Sequence, residues 1–217
     1  YWPGQYVTLG NPDGGIPARA YSIANAPRPD GELVLQVART EGGITSNWVH
    51  DHLQPGARLT LAGAYGSFIG DPSMDTPVLC LAAGTGLAPI LALTEAALRR
   101  GFRQPVSVVF SARTRADIYG QGLMAWWRAR HPGFDYRITL TRERQHGYLA
   151  GRIRAVLPGL FSDLSKHTVF AAGNPDFVAS CVNAVKALGA RPELIHTEAF
   201  FARQPPVVPD ADPRRAL

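Results

Sequence analysis

Cysteine is nearly absent: Cys80 and Cys181 are the only two in 217 residues. Two thiols do not make an iron–sulfur site, which normally takes four. Each sits in an apolar stretch, so both are expected to be buried and reduced rather than joined in a disulfide. Long apolar runs are also missing. The longest, 77–93, is broken by Gly84, Thr85, Gly86 and Pro89, and reads neither as a membrane span nor as a signal peptide. These absences together predict a cytoplasmic location. The six histidines show no metal-ligand spacing, since His50 and His52 stand two apart and cannot share a helix face. No metal site is therefore expected. Ser67 and Ser111 have no base at triad-like positions, which argues against a hydrolase. There is no internal repeat and no aromatic–basic module of the nucleic-acid-binding kind.

Charged residues are sparse at 18% against 46% hydrophobic, the balance of a globular chain. The length suits two compact domains. The net charge of +5 is scattered along the chain, which suits dinucleotide phosphates and an acidic protein partner better than DNA. The first residue is Tyr1, not Met, and it falls inside what reads as a domain. The sequence is therefore expected to be a piece of a longer chain.

The first third predicts short strands between turns, over 5–9, 19–23, 32–39 and 58–62. Asn11-Pro12-Asp13-Gly14-Gly15 and Gln54-Pro55-Gly56 supply turn chemistry. A short helix is expected over 46–53, with Ser46 as its cap. This is the pattern of an antiparallel, barrel-like domain over 1–73. From Val78 the style changes. The run Val78–Ala83 is continuously apolar, as a buried parallel strand requires. A helix follows, with Pro89 near its start and Arg99 and Arg100 near its end. Further strands are expected at 106–111, 136–141, 168–172 and 193–196, with helices over 117–130, 151–157 and 176–188. Alternating strands and helices imply an α/β doubly wound parallel sheet over 74–203. The Pro-, Asp- and Arg-rich stretch 204–217 reads as a flexible tail.

Two segments carry chemistry in the first domain. On the strand with Arg19-Ala20-Tyr21-Ser22, alternation puts Arg19 and Tyr21 on one face. An Arg fork suits a pyrophosphate, and a Tyr ring beside it can stack on a planar heterocycle. A solvated cross-strand pair explains the same two residues. Gly43-Ile44-Thr45-Ser46 precedes the short helix, where glycine freedom and a helix start favour an anion; an ordinary loop and cap is the alternative. In the second domain, Gly84-Thr85-Gly86-Leu87-Ala88-Pro89 links strand to helix and lets backbone N–H groups approach a diphosphate; a turn of this kind without a ligand, common in α/β proteins, is the alternative. Ser111 and Arg113 follow the next strand, where an adenine ribose would sit.

In this order and at these spacings the segments resemble the ferredoxin–NADP reductase superfamily. The matches are to its R-x-Y-S and G-x-x-S/T flavin motifs and its G-T-G-x-x-P nicotinamide motif. Pro3-Gly4-Gln5-Tyr6 resembles the family's P-G-Q-F/Y, and Gly63 to Phe68 its G-P-x-G-x-F. Phe170 to Val178 resembles C-G-P-P-x-M-V, with Gly173 and Pro175 matching, Ala172 standing for the usual Cys and Asn174 for the first Pro. The resemblance is strongest to reductase components of bacterial ring-hydroxylating oxygenases.

It implies roles. Arg19 would bind the flavin diphosphate, Tyr21 would pack on the isoalloxazine, and Ser22 would lie near its reactive nitrogen. Gly43, Thr45 and Ser46 would hold the phosphate or ribityl end, and Val37 and Ala38 would line the flavin through their backbone. Gly84, Thr85, Gly86, Pro89, Ser111, Arg113, Gly173 and Pro175 would bind NADH or NADPH, with a lean to NADH. Glu198, in the acidic–aromatic stretch His196 to Phe201, would relay a proton or steer the acceptor. FAD is the commoner flavin among such relatives and FMN the less common. The implied activity is a flavin-dependent oxidoreductase: electrons pass from NAD(P)H through FAD to an iron–sulfur protein or a fused 2Fe–2S domain, serving a terminal oxygenase. The alternatives are the reductase half of a flavohaemoglobin-like protein, or a nucleotide-binding subunit with little activity alone. Family barrels have strands before P-G-Q-F/Y, and without them the resemblance implies weaker flavin retention.

Overall fold

Two sheets organise the chain in a computed structural model that describes residues 1–71 and 73–201. The expected tail, 204–217, lies outside the described residues. The first sheet is antiparallel, in the order β2-β1-β3, from β1 (Tyr6–Asn11), β2 (Ile16–Ser22) and β3 (Thr60–Tyr65). Val7 and Leu9 of β1 are buried and pair with Tyr21 and Arg19 of β2. Directly opposed residues share a face, so Arg19 and Tyr21 stand on the side of the sheet that carries Val7 and Leu9.

The strand expected over 32–39 does not form. Only one bridge survives, Ile23 to Leu35, beside a bond from the Ala24 N–H to the Val34 carbonyl (2.8 Å). Side chains take the other ladder positions. Asn25 Oδ1 accepts from the Val34 N–H (2.8 Å) and its Nδ2 donates to the Glu32 carbonyl (2.9 Å). His50 Nε2 meets the Val37 carbonyl at 2.8 Å. Alternating apolar residues favour a strand, but two local side-chain acceptors and donors outcompete a partner strand here. Helix α1 (Ile44–Asp51) begins two residues before the expected start, with Gly43 in the cap position. Ser46 is therefore inside the first turn rather than the cap. Its hydroxyl accepts from the Thr40 N–H (3.2 Å) and donates to the Gly43 carbonyl (3.4 Å).

The second sheet has six parallel strands in the order β7-β6-β5-β4-β8-β9. They are β4 (Val78–Ala83), β5 (Val106–Ala112), β6 (Phe134–Leu140), β7 (Leu149–Ala150), β8 (Thr168–Gly173) and β9 (Ile195–Ala199). Helices α2 (Leu87–Arg99), α3 (Gln121–Arg130), α4 (Ile153–Leu160) and α5 (Pro175–Ala187) complete it. The pleat splits the apolar run of β4 between two cores. Val78, Cys80 and Ala82 face α2 and α3, with Leu87, Ile90, Met124 and Trp127. Leu79 and Leu81 face α4 and α5, with Ile153, Leu157, Cys181 and Val185. Cys80 and Cys181 are thus free thiols in cores on opposite sides of the sheet, and burial pushes both up to about 12. The two sheets meet at Phe68, which is buried in the α2-side core with its ring edge-on to Phe170 at 5.5 Å. Among the described residues, no helix is long and apolar enough to cross a membrane.

Candidate functional site

The first half of the site is built on β2. Tyr21 is half-buried. Burial raises its phenol above the usual value, and the neighbouring Arg19 charge opposes that rise. Arg19 itself is exposed, with Nη1 donating to the adjacent Ala18 carbonyl (3.1 Å) and, among the described residues, to nothing else. Ser22 is buried at the end of the strand. Helix α1 is tied to β2 by Thr45 Oγ1, which donates to the Pro17 carbonyl at 2.5 Å, two residues along from Arg19. The side chains of Thr45 and Ser46 are both buried and bonded within the protein. What α1 offers outward is its first-turn backbone, which no side chain caps. The C-terminal part of α1 holds the neighbouring segment. His50 reaches the carbonyl of Val37, and Asp51 pairs with Arg39 (3.2 Å from Nη1). Val37 is half-buried and Ala38 exposed. The fold therefore gathers Arg19, Tyr21, Ser22, Val37, Ala38, Gly43, Thr45 and Ser46 around α1 and the end of β2.

The second half lies at the carboxyl ends of four adjacent strands. Ala83 of β4 pairs with Ser111 of β5, Ala82 with Ala172 of β8, and Ala172 with Glu198 of β9. The connections after β4 and β8 lead to opposite sides, so the crevice between them is a topological switch point. Gly84 takes φ +54° with open space where a Cβ would stand. A Cβ on Gly86 would lie 2.1 Å from the Ala172 carbonyl oxygen, so only glycine lets the α2 start close on β8. Pro89 is buried in the first turn of α2, where its missing N–H costs nothing. On the far side, Gly173 ends β8 and Pro175 opens α5. The uncapped start of α2, beside a glycine turn with open space at Gly84, fits a dinucleotide diphosphate.

Three supports of this site carry weaker sequence signals. Tyr119 donates its hydroxyl to the Gly84 carbonyl (2.9 Å) while its ring stands edge-on to Phe110, and burial raises its phenol. Asp117 accepts from the N–H (2.9 Å) and hydroxyl (2.8 Å) of Thr114. These bonds hold its carboxyl below the usual range, and Arg113 lies 3.3 Å away. Asn174 caps α5, its Oδ1 accepting from the Phe177 N–H at 2.9 Å. Asn before Pro at a helix start is a readable cap signal; the reach of Tyr119 to a turn 35 residues away is not.

Glu198 is a largely buried carboxylate at this edge: its Oε2 is buried with no hydrogen bond among the described residues. Desolvation pushes it up to about 7. His196, two residues before it on β9, stacks on Phe170 (4.8 Å, 18°), and burial lowers its titration. Ala172 is fully buried in the α2-side core. Phe200 donates its N–H to the Gly173 carbonyl (2.8 Å), and Phe201 is 67% exposed.

Known proteins match both halves. The Oxidoreductase FAD-binding domain matches residues 1–69, and the Oxidoreductase NAD-binding domain matches 80–183. The reductase component of the naphthalene 1,2-dioxygenase system of Pseudomonas putida is 31% identical over 92% of this chain and 60% of its own length. Ferredoxin–NADP reductase B of Sorangium cellulosum is 37% identical over 79% of this chain and 69% of its own. The crystal structure of the Amycolatopsis cytochrome P450 reductase GcoB superposes with a TM-score of 0.85 at 32% identity, over 94% of this chain and 62% of that one. The chain spans about 60% of the length of the first curated relatives it matches. Two glycine-bearing helix starts, one beside β2 and one at the β4–β8 crevice, joined in this order and matched by both domain models, are those of the ferredoxin–NADP reductase family, to which this chain belongs.

Proposed function

We propose that the chain takes electrons from NAD(P)H and passes them through FAD to an iron–sulfur acceptor, as the electron-transfer component of an oxygenase. In this reading residues 1–73 form the flavin domain and 74–203 the nicotinamide domain. When bound, the nicotinamide supplies a hydride, and the flavin accepts two electrons and can release them singly. The protein binds, orients and manages protons. Arg19 holds a diphosphate with its fork, and Tyr21 covers a ring face beside Ser22. The first-turn N–H groups of α1, at Ile44, Thr45 and Ser46, take a phosphate oxygen, with Gly43 leaving them clear. Val37 and Ala38 contribute backbone to the ring edge. Gly84, Thr85 and Gly86 present N–H groups to the second dinucleotide, with Pro89 fixing the helix start. Ser111 and Arg113 meet its ribose, and Gly173 and Pro175 border its reactive end. Glu198 holds or releases a proton at Oε2. Arg113 already faces Asp117, a carboxylate that competes with a 2′-phosphate, so NADH is the preferred donor in this reading.

What carries this reading is the sheet edge around the Gly86–Ala172 approach, where Ala83 is level with Ser111 and, one residue earlier, Ala82, Ala172 and Glu198 are level on neighbouring strands. The acceptor is a separate ferredoxin or a 2Fe–2S domain of the same protein, acting in the cytoplasm. The test is an absorption spectrum of the FAD-loaded protein, with NADH and NADPH added in turn without oxygen, then ferricyanide. Flavin bleaching by NADH and reoxidation by ferricyanide are expected. A protein that takes up no FAD, or whose FAD neither coenzyme bleaches, overturns the reading. Arg19→Ala is expected to weaken FAD binding by about tenfold or more while circular dichroism stays unchanged. Equal affinity would remove Arg19 from the diphosphate site.

A further inference from the structure

Helix α2 has a use at each end. Its start is the Gly84–Gly86 turn. Nine residues on, roughly 13 Å along the axis, Glu95 reaches out of the second domain into the first. Its Oε2 accepts from the Ala26 N–H at 2.7 Å. Its Oε1 accepts from Arg99 Nη2 at 2.7 Å, one turn further along the same helix. Arg99 Nη1 in turn donates to the carbonyl of Pro27, the next residue, at 3.2 Å. Ala26 is buried, and a buried N–H needs a partner. Glu95, from the other domain, is the partner it has.

The segment gripped in this way is the direct continuation of β2. Ala26 lies four residues after Ser22 and five after Tyr21. The segment is stiff. Asn25 bonds its side chain to the Ala26 and Glu32 carbonyls and to the Val34 N–H, and the Tyr1 hydroxyl donates to the Asn25 carbonyl at 3.2 Å. One helix therefore carries the dinucleotide turn at its N-terminus and clamps the strand that bears Tyr21 and Ser22 near its C-terminus. Hydride transfer needs two rings held face to face within a few tenths of an ångström, and a displacement of about 1 Å can cost a hundredfold in rate.

We infer that Glu95 and Arg99 are positioning residues for the redox step. Their clamp on Ala26 and Pro27 sets the placement of the flavin-bearing strand against the nicotinamide turn at the other end of α2. Their polar contacts are with Ala26, Pro27 and each other, and neither is among the residues assigned above to a dinucleotide, so their loss is expected to change how the two rings meet rather than how tightly either is held. The inference rests on the function proposed above.

The experiment compares wild type with Glu95→Ala, Glu95→Gln and Arg99→Ala. In the cofactor-free protein, amide exchange at Ala26 is expected to speed up about tenfold or more in Glu95→Ala and to return toward wild type in Glu95→Gln, which keeps an acceptor oxygen. In the FAD-loaded protein, Glu95→Ala is expected to hold FAD and NADH within about twofold of wild type. Its single-turnover flavin reduction should fall by about 10- to 100-fold, with a weaker long-wavelength charge-transfer band between the two rings. Arg99→Ala should move the same readouts in the same direction by less. Unchanged exchange at Ala26, or unchanged reduction rate and charge-transfer band in Glu95→Ala, overturns the inference. If Glu95→Ala does not fold, an Arg99→Ala protein with a wild-type rate and band overturns it equally. Failure of the wild-type flavin to accept electrons from either coenzyme would instead overturn the function itself.

Discussion

Glu198 concentrates the electrostatics of the site in one side chain. It sits where a carboxylate is poorly solvated and, among the described residues, has no hydrogen bond, so burial favours its acid form up to about pH 7 against an ordinary 4.5. Between those values the folded protein keeps a proton that the unfolded chain has released, so stability falls as pH rises through the window and the loss is complete above it. Glu198→Gln is expected to raise the unfolding free energy of the cofactor-free protein by up to about 3 kcal/mol at pH 8, and to change little at pH 4. Denaturant titrations at the two pH values measure this. A variant no more stable than wild type at pH 8 would mean that the carboxylate finds a partner in solution. At this scale the sequence was legible where a residue's use is local. Arg19 and Tyr21 share a face because strands alternate, and the thiols are inert because their neighbours are apolar. It was illegible where the use depends on burial or distance. Nothing in the order of residues says that Glu198 is buried without a hydrogen bond among the described residues, that Thr45 spends its hydroxyl on Pro17, or that Tyr119 reaches Gly84.

Among the elements, parallel strands and helices followed the apolar pattern closely, because a strand buried on both faces leaves an unmistakable run. In the antiparallel part three of the four expected strands form and the one over 32–39 does not, because single polar side chains can replace a ladder there. Asn25 and His50 do so along 32–37, and a hydropathy pattern does not register them. The start of α5 is a clearer case of local chemistry. Asn174 departs from the resembled motif yet supplies a cap that the proline it replaces could not. Asn174→Ala is expected to cost about 1 kcal/mol, read as a shift in denaturation midpoint with an unchanged slope. Gly86 is the stricter position. Gly86→Ala puts a methyl against the Ala172 carbonyl at the place where α2 meets β8. It is expected to cost about 1–3 kcal/mol and to weaken NADH binding, measured by titration. Binding and stability both equal to wild type would show that the turn can retreat.

Across the whole molecule, the two sheets share a core through one large ring. Phe68 comes from the first domain, is 6% exposed, and packs edge-on against Phe170, whose other neighbour is His196 of β9. Phe68→Ala is expected to cost about 3–5 kcal/mol. It should also split one unfolding transition into two, followed by parallel fluorescence and circular dichroism; a single sharp transition in the variant would place the coupling elsewhere. The strand order carries a consequence for how the chain assembles. One of its inner pairs, β4 and β8, comes from distant parts of the chain, and Thr76 and Thr168 at the lower end of that pair bond across 92 residues. Joining such distant strands demands the most loop closure, so they are expected to pair late. The crevice at the carboxyl ends of β4 and β8 would then be the last region to gain amide protection in a pulse-labelled refolding time course, after β5 and β6 have zipped together.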